Sequence, residues 1–197
     1  MPDRFAKAML AFDALHAADP TLDEHGDPAE LVYARRMTAA LATLIPEPSE
    51  ALALAVRAQH LQRWTLPRDS YPPTKVGYHA WRKEQAARHE TAAAAVLRSA
   101  GYDEDEIARV GSLIRKRGLG RDDEAQALED AACLVFLEHE LARFAEERCD
   151  DDEVIAILQK TWAKMGEAGR ARARELTLDG RAAELLTRAL AGATEPA

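Results

Sequence analysis

The stretch from 123 to 147, DEAQALEDAACLVFLEHELARFAEE, decides the fold. Leu134, Leu137, Leu141 and Phe144 recur at spacings of three and four, the period of one face of an α-helix. Nothing in the stretch alternates with the period of two that a half-buried strand needs. Alanine, leucine, glutamate and arginine carry helical patterning through most of the chain, so the expectation is all-α. Working outward, helices are expected over 4–17, 29–44, 49–64 and 78–100. Another opens at Asp103 and carries Ile107, Val110 and Ile114, and a last pair covers 153–165 and 180–190. Asp19-Pro20 and Gly26-Asp27-Pro28 mark a loop, Pro46 and Pro48 end the second helix, and Ser49 is a natural N-cap. Pro67, Pro72 and Pro73 make 65–77 an ordered surface loop. Gly101 is a stop signal, Asp103 with Glu106 forms a capping box, and Gly118 and Gly120 close the helix that follows.

A chain of 197 residues that is 47% hydrophobic and 30% charged fits one globular domain, spanning 1–197 with no internal repeat or linker. A net charge of −8 repels nucleic acid, so that class of partner is not expected. No apolar run approaches the ~20 residues of a membrane span, and Met1-Pro2-Asp3-Arg4 leads into no signal-peptide core, so a cytoplasmic protein is expected. Cys133 and Cys149, one in an apolar and one in a charged run, read as free thiols.

Four helices place a polar residue in line with their apolar stripe. Glu30 is in phase with Tyr33, Met37, Leu41 and Leu44, and Leu52, Ala55 and Val56 run into Gln59, His60 and Arg63. His89 continues into Ala93, Val96 and Leu97, and Asp130 into Leu134 and Leu137. A carboxylate or imidazole buried alone costs several kcal/mol, so such residues satisfy one another, bind a cation or line a wet pocket. The competing reading is a rim position for each, and His16, His25, His79 and His139 are read as surface or rim histidines. From 57 to 82 the chain carries Arg57, Arg63, Arg68, Lys75 and Arg82 against Asp69 alone, together with Trp64, Tyr71, Tyr78 and Trp81. Guanidinium groups grip phosphate or carboxylate in bidentate fashion, and aromatic faces stack on planar groups, which points to an anionic ligand. The alternative is a structural network in which Arg63, Arg68 and Arg82 pair with Glu30, Glu129 and Asp130.

The succession His89-Glu90, Leu97, Gly101-Tyr102-Asp103, Ile107, Val110, Ile114-Arg115-Lys116 and Leu128-Glu129-Asp130-Ala131 resembles the later half of the HD-domain metal-dependent phosphohydrolases. The resemblance covers about 29–141. It puts Glu30 where that superfamily's first His stands, Gln59-His60 at the His-Asp doublet, Lys116 at a further His and Asp130 at the last ligand. It implies a divalent metal ion held by Glu30, His60, His89 and Asp130, Glu129 as a base, and Arg63 and Arg82 clamping phosphate. The chain is more closely similar to a family known as domain of unknown function 4202. The carriers are Pro28-Ala29-Glu30-Leu31, Tyr33-x-x-Arg36-Met37, Arg57-Ala58-Gln59-His60, Pro67-Arg68-x-x-Tyr71-Pro72, Gly77-Tyr78-x-x-Trp81-Arg82 and Lys160-Thr161-Trp162-x-Lys164-Met165. That likeness implies a fold family and no established activity.

Two functions are therefore expected to compete. One is a divergent phosphohydrolase acting on a nucleotide or small phosphate ester through metal-activated water. The other is a non-catalytic helical module, HD-like in its core, that binds a small anionic ligand or a protein partner, as a monomer or a homodimer. Arg36, Arg57, Gln59, Arg63, Trp64, Arg68, Tyr71, Tyr78, Trp81, Arg82 and Lys116 are the expected ligand contacts.

Overall fold

Helices start where the sequence offers an oxygen to orphan backbone N–H groups. The computed structural model describes residues 3–191. In α1 (Arg4–His16) the Asp3 carboxylate accepts from the Ala6 amide at 2.7 Å. Helix α2 (Ala29–Leu44) follows Pro28. The Ser49 hydroxyl caps α3 (Glu50–Arg57), and Thr74 caps α4 (Lys75–Ala100). The expected capping box forms at α5 (Glu104–Ile114), with Asp103 and Glu106 bonded reciprocally. Asp122 and Asp150 cap α6 (Asp123–Val135) and α8 (Asp151–Lys164), and α7 (Leu141–Glu146) lies between them. Helices α9 (Glu167–Arg174) and α10 (Gly180–Ala191) are the last of the described residues, and the protein is all-α, with no strand among them.

One hydrophobic core joins these helices. Phe12, Met37, Leu41, Leu52, Leu97, Leu128, Leu134 and Leu141 are each exposed by 2% or less. Burying side chains of this size contributes about 1.5–3 kcal/mol apiece. Helix α2 packs on α6, α3 and α9, while α4 lies along α5 and α1, and α10 on α8. No helix of the described residues is long and apolar enough to cross a membrane. Cys133 is buried and Cys149 exposed, both free, as expected.

Four expectations need correction. The third helix stops at Arg57, because His60 (φ 63°) and Gln62 (φ 54°) turn left-handed and break the α-helical phase. Helix α4 starts three residues before Tyr78, because the Thr74 hydroxyl accepts the Gly77 amide at 3.0 Å. A Cβ on Gly77 would stand 2.2 Å from the Pro72 carbonyl oxygen, so the turn closes onto the helix only over a glycine. The stretch 123–147 is not one regular helix: a π-helical turn, Phe136–Glu140, interrupts it. His16 is fully buried, with its Nε2 2.9 Å from the Arg57 carbonyl oxygen, because the end of α3 packs against α1.

Candidate functional site

A pocket of about 360 Å³ opens between the 59–63 turn, α4, the end of α5 and one face of α6 and its π-helical turn. Arg63, Arg82, Arg115, Lys116 and Lys164 line it against only two carboxylates, Glu129 and Glu140. In a chain of net charge −8 this is a concentrated positive concavity.

The backbone that presents these groups is held firmly. Gln85 donates its side-chain amide to the Arg63 and Leu66 carbonyls at 2.9 and 3.0 Å, and the Trp81 indole N–H donates to Leu66 at 2.9 Å. Helix α4 thereby fixes the start of the basic loop. His60, Gln62 and Lys116 are the non-glycine residues with positive φ among those described, and two of the three line the pocket. Such residues are uncommon outside glycine, and each costs of order 1 kcal/mol or more unless its surroundings over-determine it.

His60 sits at the centre of the polar wall. Its ring stacks on Tyr33 with centroids 4.1 Å apart, its Nδ1 lies 3.3 Å from Glu30 Oε2, and its Nε2 lies 2.7 Å from Arg63 Nη1. A guanidinium can only donate, so Nε2 accepts and Nδ1 carries the proton toward Glu30. Burial raises the Glu30 carboxyl to about 7, an effect Arg63 and His16 partly offset. Burial, with help from Arg63 and Lys116, drives His60 well below the usual histidine value. His89 is 5% exposed and held neutral, its pKa lowered to about 3 by burial and by His60 and Arg63. Its Nε2 has no hydrogen-bond partner among the described residues.

Glu129 faces the pocket between Lys116 and Lys164, the latter 3.3 Å away. Burial pushes its carboxyl up, but the two lysines outweigh that and hold it below the ordinary value. A carboxylate kept charged in this way is a counter-ion and a weak base, which argues against the catalytic role expected for it. Burial raises the Cys133 thiol to about 12, so it is not a nucleophile at neutral pH.

Of the expected ligand contacts the structure brings Gln59, Arg63, Tyr78, Trp81, Arg82 and Lys116 to the pocket. The others have different work. Arg57 binds Asp13 and Thr38, tying α3 to α1 and α2. Arg68 straps the loop by donating to the Tyr71 and Pro72 carbonyls, both at 3.0 Å. Arg36 lines a separate groove with Leu134 and His139. Trp64 and Tyr71 are half-buried in the loop and do not line the pocket. Among the described residues, Arg63, Arg68 and Arg82 form no ion pair with Glu30, Glu129 or Asp130, so the expected structural network does not form.

The four expected metal ligands are not assembled. Glu30, His60 and His89 approach one another, but both ring nitrogens of His60 are already engaged, and Asp130 lies on the other side of α6. There its carboxylate accepts from Gly166 N at 2.8 Å and Gln126 Nε2 at 2.9 Å, holding the start of α9. Among the described residues no group of three or more His, Cys, Asp or Glu is set to hold a metal ion. Arg115 is paired with Glu90 and the two lysines with Glu129, but Arg63 and Arg82, without a carboxylate partner among the described residues, also oppose a divalent cation. A metal of the kind the HD resemblance implied does not fit this donor set. Helix α9 approaches Asp130 so closely that a Cβ on Gly169 would lie 2.5 Å from its Cγ. Gly169→Ala is therefore expected to cost about 1–3 kcal/mol by overpacking. For a domain of this size that lowers Tm by about 2–4 °C per kcal/mol, readable by calorimetry. An unchanged Tm would show that α9 is free to shift.

Sequence reasoning missed Tyr33, Gln85, Arg115, Glu140 and Lys164 as pocket residues. For Glu140 a signal existed, since Glu129, Cys133, Phe136 and Glu140 share one helical phase. Burial raises the Glu140 carboxyl, with Arg63 acting against it.

The site belongs to a helical protein with a positively charged pocket that opens to solvent. The family model described as domain of unknown function (DUF4202) matches residues 6–186, and the chain belongs to that family. No curated protein and no solved structure matches it.

Proposed function

We propose that the pocket binds a small phosphate-bearing ligand, with Arg63 and Arg82 as its principal anion contacts. The observation that carries this reading is that both guanidinium groups line the cavity without a carboxylate partner among the described residues. Arg63 rests on the His60 ring nitrogen and over Trp81 at 5.0 Å; Arg82 makes only a 3.4 Å contact to the Tyr78 hydroxyl. A phosphate offers each of them a charge-assisted bond stronger than these. The strained backbone at His60 and Lys116 supports the reading, since such strain collects at binding sites.

Calorimetric titration with inorganic phosphate tests it, using wild type beside Glu129→Gln. In the wild type Glu129 competes with the ligand for Lys116 and Lys164. The variant is expected to bind phosphate about tenfold tighter, a gain of ~1.4 kcal/mol. Absence of heat in both proteins would sink the proposal. Loss of affinity in the variant would mean that Glu129 itself organises the bound anion.

The Glu30–His60 pair favours a second reading, hydrolysis of a phosphate ester. Once the ligand draws Arg63 away, a water whose oxygen attacks phosphorus gives its proton to His60 Nε2 while His60 Nδ1 passes its own to Glu30, whose carboxyl sits at about 7. The departing ester oxygen takes a proton from solvent at the mouth of the pocket. Release of inorganic phosphate from an aryl phosphate, abolished in His60→Asn, is the expected result, and a requirement for an added divalent ion would overturn this metal-free version.

A further inference from the structure

Resting on the anion-pocket reading above, we infer that the ligand is a polyhydroxylated phosphate ester, of the sugar or polyol phosphate kind, whose hydroxyl groups enter beneath the arginines and meet His89 and Gln59.

The inner surface of the pocket is polar but largely uncharged. Eight polar or charged residues are buried among those described, and five of them, Gln59, Gln85, His89, Glu129 and Thr161, line this one cavity. Glu129 is neutralised by its two lysines, and Gln85 and Thr161 have spent their donors on backbone carbonyls. That leaves the side-chain oxygens of Gln59 and Gln85 and one nitrogen of His89. Gln59 gives its amide N–H to Ala55 at 3.5 Å, and no donor among the described residues reaches its carbonyl oxygen. His89, 5% exposed, has a ring nitrogen with no hydrogen-bond partner among the described residues.

An unsatisfied buried polar atom costs about 1–3 kcal/mol, so a site retains one where something else completes it. A second phosphate oxygen is a poor candidate, because a neutral imidazole nitrogen and an amide oxygen do not offset charge. An aliphatic body would leave both groups unpaired. A hydroxyl both donates and accepts, and so satisfies either tautomer of His89 and the Gln59 oxygen.

The aromatic residues do not favour a nucleobase instead. Tyr33 is stacked on His60, Trp81 is 7% exposed beneath Arg63, and Phe136 packs edge-on against Phe144 at 5.4 Å. Tyr78, 41% exposed, stands at the mouth, flanked by Arg68 and Arg82. Stacking capacity inside the cavity is committed to the protein itself. A volume of about 360 Å³ lies at the small end of ligand sites, which suits a single phosphorylated sugar.

The experiment is calorimetry on the 197-residue chain with five probes: inorganic phosphate, n-propyl phosphate, glycerol 3-phosphate, ribose 5-phosphate and adenosine 5′-monophosphate. Ribose 5-phosphate is expected to bind at least tenfold tighter than inorganic phosphate, and glycerol 3-phosphate several-fold tighter than n-propyl phosphate, which has the same carbon chain without hydroxyls. His89→Leu is expected to bring the ratio between glycerol 3-phosphate and n-propyl phosphate close to one, and His89→Gln, which keeps a donor and an acceptor, to restore part of it. The ratio separates loss of a hydroxyl contact from general damage to the pocket, and circular dichroism shows whether each variant is folded. Equal affinities for the hydroxylated and the plain alkyl phosphates overturn the inference while leaving the anion pocket standing. Tighter binding of the adenosine ester than of ribose 5-phosphate also overturns it, in favour of a base-binding site. Failure of every probe, inorganic phosphate included, removes the anion reading on which it rests.

Discussion

Replacing Arg63 with methionine is expected to weaken phosphate binding by one to two orders of magnitude. A hydrogen bond to a charged group contributes about 1.5–3 kcal/mol, which converts to roughly ten- to more than a hundredfold in affinity. The fold should tolerate the change. Gln85 holds the Arg63 main-chain carbonyl and Trp81 holds that of Leu66, so the loop does not depend on the guanidinium. Methionine retains most of the stem that packs over Trp81. Arg68→Met is the matched control. Arg68 carries the same charge in the same loop but binds the Tyr71 and Pro72 carbonyls, so its loss should leave affinity within a few-fold of wild type. Equal effects from the two variants would mean that the basic segment acts through its overall field rather than through Arg63.

The second large effect is on stability against pH. His89 has a pKa of about 3 in the folded chain and an ordinary value of 6.5 outside it. Between those values the unfolded chain binds the extra proton, so stability rises with pH. The contribution is complete above 6.5 and is lost progressively as pH falls toward 3. Each unit between is worth about 1.4 kcal/mol, so acidification from 6.5 to 4 should remove up to a few kcal/mol through this one residue. Glu30 acts in the opposite sense. Its carboxyl, raised from 4.5 to about 7, adds stability below 4.5 that is lost as pH rises through 7. Urea unfolding of wild type and His89→Gln across pH 4–8 separates them: the variant should lose the share of the acid-side slope that one proton supplies, with the shares of His60 and His16, which burial also lowers, and the decline due to Glu30 left in place. Parallel curves for the two proteins would show that His89 is solvated and protonates freely in the native state.

The helix boundaries that the sequence predicts correctly are those set by short-range chemistry. Ser49 and the Asp103–Glu106 box act on N–H groups two or three residues away, and Gly101 ends its helix in a left-handed turn of its own. Errors arise where distant parts intervene. The left-handed turn at His60 and Gln62 has no glycine to announce it and persists because Gln85, Glu30 and Tyr33 hold it from two other helices. The π-helical turn at Phe136–Glu140 is likewise invisible to a periodicity that reads as unbroken.

The candidate site divides in the same way. Charge and aromatic content single out the 57–82 segment, yet its arginines look alike in sequence, and only the fold sends Arg63 and Arg82 to the pocket, Arg57 to Asp13 and Arg68 to its own loop. Glu129 and Asp130 are about 100° apart on one helix, so at most one can face a given cavity. Which one does is decided by α9, whose Gly166 and Gly169 admit the Asp130 carboxylate and leave Glu129 to the lysines. Lys116 and Lys164 come from the ends of two helices far apart in the chain, and no local pattern says that they converge.

By itself the sequence determined the all-α class, most helix starts, the free thiols and the basic segment, because these depend on periodicity, capping and composition that act within a few residues. Tertiary structure alone decided which charges pair, which remain open to a ligand, and that His89 stands unpartnered beneath them. Electrostatic pairing and burial depend on distances between helices, and those distances exist only once the core has packed.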